Sequence, residues 1–154
     1  MEEKTRLIQQ LDQARDEMRA VLTGIGPRQE IYPGWTIKHV LAHITGWDEV
    51  SVAALHAHVA GDDPSPPMAQ DIEQYNTEAV AARESLSYED VVRECERVRE
   101  QLKTLIMDMP PAKLAEPLLF PWGPTGTVAQ LVNVFANHEL EHAREIRDLV
   151  HKKT

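Results

Sequence analysis

Two histidines and a glutamate near the end of the chain, His138, Glu139 and His142 in the string HELEH, have the types and spacing of a zinc protease centre. On a helix the two imidazoles would share a face and converge on one ion, with the carboxylate as general base. A protease of that kind also needs a third ligand further on. Glu145 and Asp148 stand where the metzincin pattern puts its glycine and third histidine, and twelve residues follow His142, too few for a further ligand helix. No strand is available to hold a peptide. The protease match is therefore accidental. A di-iron carboxylate centre fails by count, because it draws on two Glu-x-x-His motifs and Glu139–His142 is the one the sequence contains.

What remains is a pair of imidazoles about 40° apart on a helical wheel, lying in an apolar stripe, with Glu139 turned away from their face. They are core histidines bonded to carbonyls or carboxylates, histidines at a solvated bundle edge, or two ligands of one metal ion. A third ligand on another helix would favour the metal, and His43 offers it, in register with Val40, Trp47 and Val50. His39 reads as a surface residue in a first helical turn. His56, His58 and His151 lie near helix ends and are expected to be exposed, and Cys95 fills space in a buried stripe.

Four amphipathic helices would carry these residues. Leu7, Leu11, Ala14, Met18 and Val21 recur at steps of three and four over 3–22. Thr36 caps a second helix, with Ile37, Val40, Leu41, Ile44, Trp47, Val52 and Leu55 on one face, and Gly61 ends it. The stretch GDDPSPP, 61–67, is a loop, followed by a polar helix from Ala69 to about Glu84. Ser87 caps a third long helix bearing Val91, Cys95, Val98, Leu102, Leu105 and Met109. Residues 110–126 hold five prolines and should form an irregular surface connection carrying Phe120 and Trp122. Thr127 caps the last helix, striped with Val128, Leu131, Phe135, His138, His142, Ile146 and Leu149. The expectation is one all-α domain over 1–154, an up-and-down four-helix bundle with a long crossover between helices two and three.

Composition excludes several functions. With 25 acidic and 16 basic side chains, the net charge of −9 would repel a nucleic-acid backbone. No apolar run is long enough to span a membrane, and no signal peptide opens the chain. One cysteine permits no intrachain disulfide, which suits the cytoplasm.

The Trp35–Thr36 helix start followed by His43 and Trp47, the crossover text YNTEAVAARESLSYEDVV and the closing HELEHAREI together resemble the DinB-like superfamily. Thiol-dependent maleylpyruvate isomerases and bacterial thiol S-transferases share that architecture. The resemblance implies a four-helix bundle, often a homodimer, with His43, His138 and His142 binding a divalent metal. The chain departs from it where relatives often carry an acidic residue in place of His39 and a glutamine in place of Glu145.

Three neutral ligands leave the ion its full charge and at least one open position, enough to activate a bound thiol for S-transfer or isomerisation, or water for hydrolysis, the remaining alternative being a non-catalytic metal- or ligand-binding bundle. The donor set suits zinc or nickel, and also iron or copper. A low-molecular-weight thiol and a small-molecule substrate are the expected companions. Trp47 is the expected wall of the pocket and Trp122 its cover, with Asp48, Glu49 and Glu141 as carboxylates that could support the ligands from behind.

Overall fold

The computed structural model describes residues 2–62 and 72–152. Six helices and one short hairpin follow in order: α1 (Glu2–Thr23), α2 (Ile37–Ala60), α3 (Ile72–Ala81), α4 (Tyr88–Asp108), α5 (Pro111–Ala115), β1 (Leu118–Leu119), β2 (Thr125–Gly126) and α6 (Val128–Lys152). Most of the loop 61–67, and the expected helix start at Ala69, lie outside the described residues.

Local chemistry sets the helix ends. Ser87 Oγ accepts the Asp90 N–H at 3.1 Å. Thr127 and Gln130 exchange bonds reciprocally, Thr127 Oγ1 accepting from the Gln130 backbone at 3.2 Å and Gln130 Oε1 from Thr127 N–H at 2.9 Å. At the start of α2 the Thr36 N–H donates to His39 Nδ1 at 2.9 Å. Gly61 closes α2 in the left-handed region at φ 83°, its N–H returning to the last carbonyls.

The long helices α1, α2, α4 and α6 build the bundle, with α1 against α6 and α2 against α4 as its main seams. Lys4 at the start of α1 reaches the Met107 and Met109 carbonyls at the end of α4, so those two helices run antiparallel. Thr45 meets Cys95 and Asp48 meets Arg99, so α2 and α4 run the same way. That parallel pairing is what the crossover through α3 makes possible.

The apolar core has two parts. Leu7, Leu11, Val50, Leu55, Leu102, Ile106 and Leu131 form one, and Met18, Val40, Ile44, Cys95, Ala143 and Ile146 belong to the other. Between them in sequence, on all four long helices, sit Arg15, Asp48, Arg99 and Glu139, each at most 4% exposed. Glu139 accepts from Arg15 Nε at 2.7 Å and from Arg99 Nη2 at 2.6 Å, while Asp48 accepts from Arg99 Nε at 3.0 Å. Four charges that balance and bond one another can be buried where a lone charge could not. Burial alone would raise the Glu139 carboxyl, but Arg99 and Arg15 outweigh it and hold it below the usual carboxylate range.

Three local expectations are corrected. The connection 110–126 is not wholly irregular: it holds α5 and an antiparallel pairing of Leu118 with Gly126 and Leu119 with Thr125. His58 is not exposed but 6% accessible, because α5 folds over the end of α2 and the Lys113 carbonyl accepts from His58 Nε2 at 2.7 Å. His39 is half-buried rather than a surface residue, engaged by the Thr36 backbone on one nitrogen and within 3.2 Å of Glu84 on the other. Among the described residues, no helix is long and apolar enough to cross a membrane.

Candidate metal centre

A turn, a helix and a second helix bring the site together. The tetrapeptide Tyr32-Pro33-Gly34-Trp35 closes with Trp35 N–H donating to the Tyr32 carbonyl at 2.8 Å, and Gly34 takes φ 79°. Proline at the second position and a positive-φ glycine at the third are what a type II turn demands. The turn sets Tyr32 edge-on to His142, with ring centroids 5.8 Å apart, and tilts Trp35 against His43 at 5.4 Å. From α2 comes His43, 4% exposed, and from α6 come His138 and His142, half-buried on the shoulder of the stripe whose centre is Glu139.

The three rings point their Nε2 atoms at one place. His138 Nε2 lies 3.3 Å from His43 Nε2 and 3.1 Å from His142 Nε2. Nitrogens held about 2.0–2.1 Å from a common ion stand about 3.3–3.4 Å apart in tetrahedral geometry and about 2.9–3.0 Å apart in octahedral geometry. The two separations from His138 fall between these values, and the ligand atoms of all three rings lie within 4.8 Å of one another, a spacing compatible with a shared small divalent cation. The three histidines form a group able to hold a metal ion.

Electrostatics favours the ligand form of each ring. Burial, and then the neighbouring imidazoles, lower the His43 pKa to about 3. The same causes bring His138 to about 4, and burial lowers His142. Neutral imidazole is the form that binds a metal.

Behind His142 stands a hydrogen-bonded chain. His142 Nδ1 is 2.9 Å from Tyr32 Oη, and the Tyr32 hydroxyl bonds Glu145. With Nε2 carrying the lone pair that faces the other imidazoles, Nδ1–H donates to Tyr32, whose own proton goes to Glu145. Burial and then Glu145 raise the Tyr32 pKa, so the phenol stays protonated at neutral pH. His43 Nδ1 makes no hydrogen bond among the described residues, and packing against Trp35 holds that ring.

Two cavities meet at the histidines. One, of about 340 Å³, is bounded by Tyr32, Pro33 and Trp35. The other, of about 290 Å³, is bounded by Trp47, Ile72, Trp122, Val134 and Phe135. His43, His138 and Asn76 border both.

The sequence profile of the DinB superfamily matches residues 10–146. The chain belongs to the DinB superfamily. Among solved structures, its DinB fold is similar to that of the mycothiol-dependent maleylpyruvate isomerase and to that of a histidine-to-alanine variant of the same enzyme. Each match has a TM-score of 0.76 and 14% identity and covers 93% of this chain. The chain spans 60% of the length of those structures, and likeness at this identity shows the shared fold. A search of curated proteins finds no match.

In this DinB-superfamily bundle the expected residues distribute unevenly. His43, His138 and His142 come together, and Trp47 and Trp122 both line the cavity beside them. Cys95 lies 1% exposed in the core, away from this cluster. The three carboxylates expected behind the ligands are elsewhere: Asp48 is paired with Arg99, Glu49 with Arg83, and Glu141 is exposed. Tyr32 and Glu145 occupy that supporting position instead. Tyr32 and Asn76 escaped the sequence reading because both lie outside the long amphipathic helices. The YPGW turn was the signal that could have found Tyr32.

Proposed function

We propose that His43, His138 and His142 hold one divalent ion, zinc or nickel, and that the protein is a metal-dependent thiol S-transferase or isomerase acting on a small electrophile. The observation that carries this reading is the convergence of three neutral imidazole nitrogens where two cavities join. An ion bound there supplies positive charge that lowers the pKa of a thiol at an open coordination position. The chain's own residues do the rest. Tyr32 and Glu145 fix the His142 tautomer, Trp35 holds His43, and the two cavities give a thiol and an electrophile separate approaches to one point. No serine, cysteine or lysine lines either cavity among the described residues, so the histidine centre is the reactive element the fold provides.

The structurally similar maleylpyruvate isomerase is mycothiol-dependent, and we propose a low-molecular-weight thiol as the cofactor of this chain. A homodimer follows from the resemblance, and a cytoplasmic setting fits the single buried cysteine. The test is to load the purified protein with zinc or nickel, incubate it with low-molecular-weight thiols and small electrophiles, and follow products by mass spectrometry. The expected result is a thioether adduct or an isomer formed only with metal and thiol together. Product formed with metal but without any thiol would point to hydrolysis instead.

A further inference from the structure

Asn76, on α3, borders both cavities. Its amide is oriented by Trp47, whose Nε1–H can only donate and does so to Asn76 Oδ1 at 2.5 Å. The oxygen is thereby committed to the indole, and the end that Trp47 does not engage is the Nδ2 amine, a pair of donors. The position of α3 that puts Asn76 there is itself fixed. Tyr75 Oη donates to the Gly46 carbonyl at 2.7 Å, and a side chain at Gly46 would collide with Ala79.

The smaller cavity is walled by Trp47, Trp122, Phe135, Val134 and Ile72, and its exposed lining is almost wholly apolar. No lysine or arginine lines either cavity among the described residues. The chain as a whole is strongly acidic, at −9. A carboxylate-bearing ligand would lose its hydration there with no cation on the protein walls to replace it.

We infer that the electrophile is an uncharged, flat, largely apolar carbonyl compound, its body against Trp47, Trp122 and Phe135 and its carbonyl oxygen accepting from Asn76 Nδ2. This rests on the proposed thiol chemistry and names the substrate class for it. The cavity is at the small end for ligand sites, which limits the compound to about the size of one substituted ring. The placement suits conjugate addition. The thiol gives up its proton, the sulfur bonds the β-carbon, and the C=C electron pair shifts toward the carbonyl oxygen, where Asn76 N–H bonds the growing charge. A proton then returns to the α-carbon, so thiol and electrophile combine with nothing left over.

Methyl benzoate and benzoate form an unreactive pair of probes that differ in charge at the same carbonyl. Calorimetric titration of both is carried out on the zinc-loaded protein and on chelator-treated protein, where no ion can attract a carboxylate. The expected result is methyl benzoate binding at least about tenfold tighter than benzoate after chelation. Asn76→Asp keeps the acceptor for Trp47 and removes the donors, so it should weaken methyl benzoate about tenfold in both states with an unchanged unfolding midpoint. Benzoate equal to or tighter than the ester after chelation, or ester affinity untouched by Asn76→Asp, would overturn the inference. Metal content of the loaded sample separates the two readings: protein that takes no zinc overturns the histidine centre, whereas protein that takes zinc but prefers benzoate overturns the ligand class alone.

Discussion

His43 and His138 lose their protons far below neutral pH because burial removes the water that would solvate an imidazolium, and because each ring faces another. The consequence for stability has a definite sign. The unfolded chain takes up these protons near pH 6.5, while the folded, metal-free chain resists until pH 4 or pH 3. Stability is therefore complete above the unfolded value and falls as pH drops from 6.5 toward about 4, by up to about 1.4 kcal/mol per pH unit for each proton excluded. Denaturation in chelator across that window should show a shallower slope in His43→Gln than in the natural protein, and parallel slopes would contradict the assignment. Tyr32 offers a second prediction at this scale. Removing its hydroxyl leaves His142 Nδ1 with only Glu145, 3.9 Å away. Tyr32→Phe should weaken zinc binding by about 10–100-fold in chelator competition, with the metal-free unfolding midpoint little changed. Unaltered zinc affinity would remove Tyr32 from the ligand-supporting role.

At the scale of elements, the site depends on how closely α3 approaches α2. Gly46 is the contact: an added Cβ would lie 2.6 Å from the Ala79 Cβ, a distance that no flexible side chain can relieve. Alanine would gain about 1 kcal/mol over glycine from helix propensity, whereas forcing an extra methyl into a packed contact costs about 1–3 kcal/mol. Gly46→Ala should therefore destabilise the protein by a net amount on the order of 1 kcal/mol in urea denaturation, and should loosen the Trp47–Asn76 bond, read as changed indole fluorescence. A stabilised variant would show that α3 is not held there. The long helices were legible because threonine and serine caps, terminal glycine and apolar steps of three and four are local signals. The ends of α2 and the caps before α4 and α6 lie where those signals put them. The cover over His58 was not legible, since it depends on Lys113, far along the chain, and the hairpin around Trp122 pairs only two residues on each strand, too few for alternation to show.

For the whole molecule, the centre of the bundle is ionic where periodicity alone suggests an apolar stripe through His138 and His142. Glu139 takes the most buried position at that level because Arg15 and Arg99 reach it from α1 and α4, and the histidines are turned to the flank, next to the cavities. Helical phase put the two histidines toward the interior and Glu139 away from them, and the structure corrects this: Glu139 is buried and the histidines lie on the flank, because Arg15 and Arg99 reach Glu139 from other helices, which the phase of one helix cannot show. The three imidazoles were legible because two share one helix face and the third sits at a phase facing them. Tyr32, Asn76 and the two cavities arise only when the turn, α3 and the hairpin fold against the bundle. The central claim concerns the joint effect of these parts, one ion held between α2 and α6, and elemental analysis tests it most directly. The natural protein and His43→Ala, each equilibrated with zinc, desalted and shown to be helical by circular dichroism, should carry about one zinc per chain and less than about a tenth of that, respectively. Equal zinc in the two folded proteins, or none in either, would contradict the account.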